Sequence, residues 1–350
     1  MLKRDLTVRF SIALACVAGS HAACAQSTSG QVSMYGVIDA FVGSVKVSGD
    51  PASKQQLGNG GMTSSFWGIR GAENLGGGTR AIFALESYFQ PQNGTAGRSA
   101  TDAFFSHSAY VGIDGAFGTL TAGQQISPFF KSQALFNPFG GSTTLNPLIV
   151  QSYKANYGRA LAGDDLVSNA IVYASPTYRG FSTNVAYVFG NVAGAPGQNN
   201  IIAVAHYETG PFASTLGIER LRIKDYPSSP PSNLGNASDQ LDIHAGLSYD
   251  FSVAKAFVEY QRSNNGGVSR KDNIGSVGAT VRLNEANFVL ASWARDYISD
   301  TSGRAKRDTA SVAYDYFMSK RTDCYIAYSY DKAENTGTAN SVMMGVRQKF

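Results

Sequence analysis

The chain has 350 residues, of which 15% are charged, and it carries a formal net charge of only +4. This weak charge offers no basic surface for nucleic-acid binding, and three cysteines are too few for a disulfide framework. No run of eighteen apolar residues follows residue 25, which excludes a membrane protein built from helices.

The first 25 residues predict a secretory signal peptide. Basic residues precede a short apolar run at residues 10–18, and Ala23-Cys24-Ala25 provides a small-residue cleavage site. We expect cleavage after Ala25. The remaining residues, 26–350, then carry a formal charge of +2, because the leader holds three basic residues and one acid. The alternative is a lipoprotein acylated on Cys24, but the residues before it lack the usual aliphatic side chain.

Beyond residue 30 the dominant pattern is an alternation of apolar and polar side chains with period two. In "QLDIHAGLSY", Leu241, Ile243 and Leu247 share one face. Asp242 and His244 share the other, which predicts a strand with one apolar and one polar face. About sixteen such segments occur, most of them close to the length that a tilted strand needs to cross a bilayer. They lie roughly at residues 31–47, 62–73, 78–90, 103–114, 117–126, 167–176, 179–190, 199–208, 211–223, 239–250, 253–263, 271–283, 286–297, 306–318, 321–331 and 340–350.

The connections between these segments alternate in length. Tight links such as "ENLGGG" and "DGAF" alternate with longer polar stretches such as "PQNGTAGRSA" and "KDYPSSPPSNLGNASD". Short turns at one end and long loops at the other are typical of an outer-membrane barrel. The pattern therefore predicts an all-β fold, a 16-stranded antiparallel transmembrane β-barrel with apolar side chains toward lipid and a hydrated lumen. A soluble β protein is the alternative, although its strands are usually shorter.

Closure of such a barrel requires the last strand to pair with the first, because an unpaired edge is not tolerated in hydrocarbon. The final segment, "SVMMGVRQKF", alternates like the others. We therefore expect it to pair with "QVSMYGVIDAF" and to hold Phe350 at the rim of the barrel. The first strand breaks the pattern, because Val37 and Phe41 fall on its predicted lumen face.

Several longer motifs carry a family resemblance. In chain order they are "YGVIDA", "WGIRGAENLGGGTRAIFALES", "AYVGIDGAFGTLTAGQQISPF", "YASP", "YFMSKRT" and the final Phe350. On these motifs the chain resembles the trimeric general porins of Gram-negative outer membranes, specifically the Neisseria and Burkholderia branch. The resemblance implies a passive channel for small hydrophilic solutes and ions, and a homotrimer in the lipid bilayer of the outer membrane. It also implies that the barrel-insertion machinery recognises Phe350.

The resemblance further implies that the segment at residues 127–165 folds into the lumen as a constriction loop. This segment is much longer than an ordinary connection, which indicates function or disorder, and an external mobile loop is the alternative. Its charged residues up to residue 163 are Lys131, Lys154 and Arg159, with no acid. Packing against this loop would explain the two apolar residues on the lumen face of the first strand.

Charge around a constriction sets the ion preference of a channel. Gln124 and Gln125 are also predicted to line the pore. Members of the family place acids on the loop and often have Arg-Gln at these two positions, so we expect no strong transverse field. We expect at most a modest anion preference, and the alternative for each charge is a solvated lumen residue without influence on selectivity. The wall positions predicted to face the lumen are Arg70, Arg80, Lys255, Arg282 and Arg347 among the bases and Asp39, Glu86, Glu219, Asp242, Glu259 and Asp315 among the acids.

The remaining motifs do not indicate an enzyme. The histidines after residue 25 are His107, His206 and His244, on different predicted strands, and neither H-E-x-x-H nor G-x-S-x-G occurs. We therefore predict no catalytic residue, no metal, no cofactor and no nucleic-acid partner. The alternative to a general diffusion porin is a substrate-specific channel, or a surface-recognition barrel whose extracellular loops carry the function.

Overall fold

The fold is described from a computed structural model, which describes residues 30–153, 165–191, 193, 199–222, 239–266, 269–334 and 336–350. The predicted signal peptide lies outside these residues. No helix within them is long and apolar enough to cross a membrane. The helices are α1 (Pro128–Leu135) and α2 (Pro147–Tyr153). The strands are β1 (Gln31–Val45), β2 (Lys54–Asn59), β3 (Phe66–Gly76), β4 (Thr79–Gln90), β5 (Thr95–Ala96), β6 (Ser108–Gly115), β7 (Gly118–Ile126), β8 (Leu166–Ala174), β9 (Phe181–Val188), β10 (Asn200–Thr209), β11 (Phe212–Leu221), β12 (Gln240–Asp250), β13 (Ala254–Asn265), β14 (Arg270–Arg282), β15 (Asn287–Asp300), β16 (Gly303–Phe317), β17 (Thr322–Ala333) and β18 (Gly337–Lys349).

Within the described residues, sixteen strands form the wall of one antiparallel barrel. β2 and β3 pair with successive halves of β1, so together they make one strand of the wall that is interrupted at residues 60–65. β5 pairs only with β4 and extends that strand as a short hairpin. Each of the other strands overlaps one predicted segment, and the predicted number is confirmed.

The barrel closes between β1 and β18. Asp39 lies opposite Arg347 in the register of these two strands. The backbone N–H of Phe350 donates to the carbonyl of Gly36 at 3.1 Å, and the N–H of Gly36 donates back to the carbonyl of Phe350 at 3.2 Å. The predicted pairing of the last strand with the first is therefore confirmed, and this pairing leaves no open edge in the lipid.

The two faces of the wall differ as the alternation predicts. In β12, Leu241 and Leu247 are 39% and 50% exposed on the outward face. Asp242 and His244 alternate with them on the inward face and are fully buried. Apolar side chains therefore meet the hydrocarbon, and polar side chains are directed into the barrel.

The predicted alternation of connection lengths holds only in part. At the end where β1 begins and β18 finishes, the turns are tight, and left-handed glycines such as Gly77 (φ 60°) and Gly78 (φ 78°) form one of them. At the opposite end, however, β15 and β16 are joined by only two residues, 301–302. The strands from β14 to β18 are 12 to 15 residues long. They exceed the length needed to cross the membrane, so their hairpins extend beyond it, whereas the shorter strands are followed by loops.

Candidate pore and constriction

The long segment that follows β7 begins with two short helices. Ser127 starts α1, because its hydroxyl accepts a hydrogen bond from the N–H of Phe129 at 3.2 Å and Pro128 occupies the first turn. Asn146 starts α2 in the same way and accepts from the N–H of Leu148 at 3.1 Å. The strand pattern did not predict either helix, although Ser-Pro and Asn-Pro are recognisable start signals.

This segment is anchored to the inner face of the barrel by hydrogen bonds from both helices and the link between them. Asn137 donates to the carboxylate of Glu259 on β13 at 3.1 Å and to the hydroxyl of Ser292 on β15 at 3.1 Å. Gln151 on α2 donates to the carbonyl of Ala294 on β15 at 3.2 Å and to the hydroxyl of Thr309 on β16 at 3.1 Å. The described part of the segment therefore lies inside the barrel.

Glycines in the wall make room for this segment. A Cβ atom at Gly246 of β12 would lie 2.7 Å from the ring of Phe136, and one at Gly278 of β14 would lie 2.7 Å from Pro138. Contacts below 3.0 Å are not tolerated by real side chains. The wall therefore carries glycine where rings of the loop approach its backbone.

Apolar contacts complete the attachment of the loop. Phe139 and Leu145 of the loop pack into a buried cluster with Phe41 of β1, Tyr325 of β17 and Met343 of β18. Phe41 is therefore inward and apolar because it contacts the loop, which explains the irregularity of the first strand. The expectation of a hydrated lumen is corrected for this part of the barrel, because the loop and the wall exclude water from it.

The second apolar contact lies at the start of the loop. Phe129 of α1 packs with Val167 of β8, Ala186 of β9 and Ile202 of β10, all of which are at most 1% exposed. We call the inner face of β8–β18 and β1 the covered wall. We call the inner face of β3, β4, β6 and β7 the open wall.

One side of α1 faces the open channel. Lys131 and Leu135, which are four residues apart, are both exposed, whereas Phe129, Ser132 and Gln133 are buried against the wall. Positions four apart lie on the same side of a helix, so Lys131 is carried on the channel side of the loop. Lys131 also lies within electrostatic range of Glu86 on the open wall.

On the open wall, the predicted pore residues Arg70 and Glu86 form one cluster with Tyr35 of the neighbouring strand β1. The guanidinium of exposed Arg70 lies 4.6 Å from the centre of the Tyr35 ring. The Tyr35 hydroxyl donates to the Glu86 carboxylate, which also contacts the Nδ1 of buried His107. Glu86, the acid of the cluster, is thus buried, whereas Arg70, the base of the cluster, is exposed to the lumen.

Two further predicted residues have other surroundings. Arg80 is exposed at the tight-turn end of β4, where its Nε lies 3.1 Å from the carboxylate of Asp114. Asp39 is fully buried and accepts hydrogen bonds from the N–H groups of Met62 and Thr63 at 2.9 Å and 2.7 Å. It also accepts from the hydroxyl of Tyr325 at 2.6 Å. The geometry therefore gives Asp39 a role in holding the inserted residues 60–65, not a position facing solutes.

The two adjacent glutamines lie on opposite faces of β7. Gln125 is buried on the inward face, and its side-chain oxygen accepts from the hydroxyl of Thr121 at 2.9 Å. Gln124 pairs with Ala109 on the outward face and donates to the carbonyl of Phe105 at 3.0 Å. Placing both of them at the pore lining is therefore corrected for Gln124, because a strand sends successive side chains to opposite faces. Lys154 and Arg159 lie outside the described residues.

The charges on the wall separate by sign and exposure. Five of the acids that we predicted to face the lumen are buried, and each is at most 3% exposed: Asp39, Glu219, Asp242, Glu259 and Asp315. Arg347 binds Asp323 at 3.1 Å and approaches Asp315 at 3.7 Å. The bases Arg70 and Arg282 are exposed, and Lys255 is half-buried. The accessible charge of the lumen is therefore predominantly positive among the described residues.

His244 was not predicted from the sequence to anchor the loop. Its ring is fully buried between the hydroxyl of Ser132, 3.1 Å from Nδ1, and the carboxylate of Glu259, 3.2 Å from Nε2. The signal was weak, because an inward histidine in a wet barrel is normally hydrated. In the described part of the chain, no group of three or more His, Cys, Asp or Glu side chains is arranged to hold a metal ion.

Comparison with known proteins gives one consistent result. A sequence profile of the family described as Gram-negative porin matches residues 11–336. An outer membrane porin protein of Bordetella pertussis is 28% identical, with 97% of this chain and 99% of that protein covered. Outer membrane porin protein 32 of Delftia acidovorans is 27% identical, with 96% of this chain and 92% of that protein covered.

Solved structures show the same fold. The anion-selective porin from Comamonas acidovorans superimposes with a TM-score of 0.77 at 23% identity, covering 92% of this chain and all of that one. OmpT of Vibrio cholerae in its trimer form superimposes with a TM-score of 0.66 at 14% identity, covering 92% of this chain and 99% of that one.

Proposed function

Because the chain belongs to the Gram-negative porin family, we propose that the loop at residues 127–165 narrows its channel and that the channel prefers anions modestly. The protein is an outer membrane porin, a general channel and not an enzyme. Its inward polar faces and outward apolar faces fit a water-filled barrel in a bilayer.

The observation that carries the proposal is the position of Lys131. The loop passes along the covered wall and presents this lysine toward the open wall, and its residues 127–153 contain no acid. The acids beneath the loop are buried and their charge is compensated locally by hydrogen bonds such as those of Asp39 and Glu259. A permeating anion therefore meets exposed bases, and a cation meets few exposed acids.

Two further features support the anion preference. Lys154 and Arg159 belong to the same loop and, together with Lys131, outnumber its two acids, Asp164 and Asp165. The porin from Comamonas acidovorans, whose fold matches this one, is described as anion-selective. We place the narrowest part of the channel between α1 and the cluster of Tyr35, Arg70 and Glu86.

The proposal extends to assembly. We propose a homotrimer, as in the trimer form of OmpT of Vibrio cholerae. We also propose that residues 1–25 are removed on export. Phe350 would then serve as the terminal aromatic residue that the insertion machinery recognises, and its hydrogen bonds to Gly36 place it at the seam where the barrel closes.

Liposome swelling tests the channel type. Liposomes that contain the purified protein are diluted into isotonic solutions of sugars of increasing mass, and liposomes with heat-unfolded protein serve as the control. A general channel predicts a swelling rate that falls smoothly with solute mass, because the constriction limits size. A sharp preference for one sugar among several of equal mass would contradict it and favour a substrate-specific channel.

A further inference from the structure

The outward face of the barrel carries a basic belt at the long-loop end of β13–β17. Its members share the outward side of their strands with Trp293 and Tyr297. All of them lie in the half of each strand that is nearest the long-loop end. The belt consists of Arg262, Lys271, Arg295, Arg304, Lys306 and Lys332.

Few acids offset this belt. Within the described residues, Asp308 shares the outward face, and Glu334 lies in the adjoining turn. Asp308 is bound by Arg295, with Nε 2.8 Å and Nη2 3.1 Å from its two oxygens. Glu334 accepts from the backbone N–H of Lys306 at 2.9 Å. Six bases face two acids, so the surface retains a clear positive excess.

Aromatic rings fix the depth of the belt in the membrane. The guanidinium of Arg295 lies 5.4 Å from the ring centre of Trp293, and the ammonium of Lys306 lies 5.7 Å from that of Tyr297. Both rings are exposed on the outward face. Outward Trp and Tyr side chains prefer the boundary between hydrocarbon and headgroups, so the bases beside them lie at headgroup level.

An apolar groove lies directly below the belt on the same strands. Its floor is formed by the alanines Ala279, Ala291 and Ala310, and Trp293 and Tyr328 stand at its sides. The groove is open toward the lipid and has a volume of about 540 Å³. It begins one outward position below Arg295 and runs toward the middle of the wall. An anion site and an apolar groove are thus continuous on the surface that meets the lipid.

We infer that this surface binds a phosphorylated, acylated lipid of the outer leaflet. The phosphate binds to Arg295, Lys306 and Lys332, and one acyl chain occupies the alanine groove. The inference rests on the membrane location and not on the permeability of the channel. A positive excess attracts anionic headgroups and opposes contact with the same face of a second copy of the chain.

The test uses the full-length protein, purified and reconstituted in nanodiscs of neutral phospholipid. Rough-type lipopolysaccharide is the probe, and the same lipid after enzymatic removal of its phosphates is the comparison. Binding is measured by native mass spectrometry. The double variant K306Q/K332Q should bind the phosphorylated lipid roughly 30-fold more weakly, since each basic residue near an anionic membrane surface contributes about fivefold in affinity and the two contributions multiply. Ala291→Leu, which fills the groove, should also weaken binding.

Matched controls lie on outward positions of β10 and β11, outside the belt. Arg220→Gln removes an outward base from the rim of β11, and Ala205→Leu enlarges an outward alanine of β10. Both should bind lipid like the wild type. All four variants should keep wild-type conductance, because every substituted side chain faces outward. Conductance tests the proposed channel and lipid binding tests the inferred site, so failure of one hypothesis is distinguishable from failure of the other.

Two results would overturn the inference. Equal affinity of K306Q/K332Q and wild type for the phosphorylated lipid would show that the belt does not bind phosphate. Altered trimer stability in Ala291→Leu with unchanged lipid binding would assign the groove to contact between subunits instead.

Discussion

The covered wall and the open wall belong to the same sheet but differ in the surroundings of their inward side chains. The covered wall packs Phe41, Tyr325 and Met343 against the loop, and it buries acids such as Asp39 and Glu259 with hydrogen-bond donors. The open wall leaves Arg70 exposed. The covered wall is therefore built like a protein core, and the open wall like a hydrated surface.

This difference shows what sets the charge of the channel. The inward charges of the whole wall, counted from the sequence, are mixed in sign. Burial then removes acids from contact with solutes, and two of them, Asp39 and Glu259, accept hydrogen bonds from the insertion at residues 60–65 and from the loop. The sign of the accessible charge follows from which side chains the loop covers. Three substitutions separate the two walls, beginning with the largest expected effect.

The first substitution tests the covered wall through stability. Asp39→Ala leaves the N–H groups of Met62 and Thr63 and the hydroxyl of Tyr325 without their charged acceptor. We expect a loss of roughly 3 to 5 kcal/mol in the free energy of unfolding, because a hydrogen bond to a charged group contributes about 1.5 to 3 kcal/mol and such losses do not add fully. Urea unfolding in lipid vesicles measures it.

The matched control is Asp114→Ala, which removes an acid from β6 at the tight-turn end of the open wall. Asp114 pairs with Arg80, whose side chain is 56% exposed, and exposed ion pairs contribute about 0 to 1 kcal/mol. Similar losses in the two variants would mean that the two walls do not differ in the way described.

The second substitution overpacks the contact between wall and loop. Gly246→Val places side-chain atoms where the ring of Phe136 now lies, at 2.7 Å from a Cβ. We expect about 1 to 3 kcal/mol of destabilisation. A displaced loop should also raise the variability of the single-channel conductance. Gly275→Val is the control, because its Cβ would meet no atom within 4 Å. If both valines behave alike, Phe136 does not pack on β12.

The third substitution acts on the open channel. Lys131→Glu should leave the stability near that of the wild type, because the side chain is exposed, and should shift the preference toward cations. Two unit charges 4 Å apart in water interact by about 1 kcal/mol, so reversing one charge predicts a change of several-fold in the permeability ratio. Bilayer recordings in a salt gradient give this ratio. Arg80→Gln, at the turn end and paired with Asp114, should change it less.

Much of the barrel was predictable because lipid imposes a strict rule on each strand. Leu241, Asp242 and His244 fall on their predicted faces, and Phe350 pairs with Gly36 as closure requires. Period two reports the outward face reliably, since every outward side chain meets the same hydrocarbon. The same uniformity does not hold inside.

The interior was harder to predict because it depends on contacts distant in sequence. The sequence of the strand that contains His244 gives no signal that Ser132, 112 residues earlier, will contact and bury this ring. Asp39 looks like a pore residue until residues 62 and 63 donate to it. Even the local signals at Ser127 and Asn146 were outweighed by the dominant strand pattern. A loop that folds back into a lumen changes the environment of every side chain it covers.

The most direct test of the account is the zero-current potential of the wild-type channel in a planar bilayer with a tenfold gradient of potassium chloride. Burial of acids under the loop predicts a potential with the sign of chloride selectivity, reduced by Lys131→Glu. A potential with the sign of potassium selectivity would contradict the account, because the accessible charge of the lumen would then be negative.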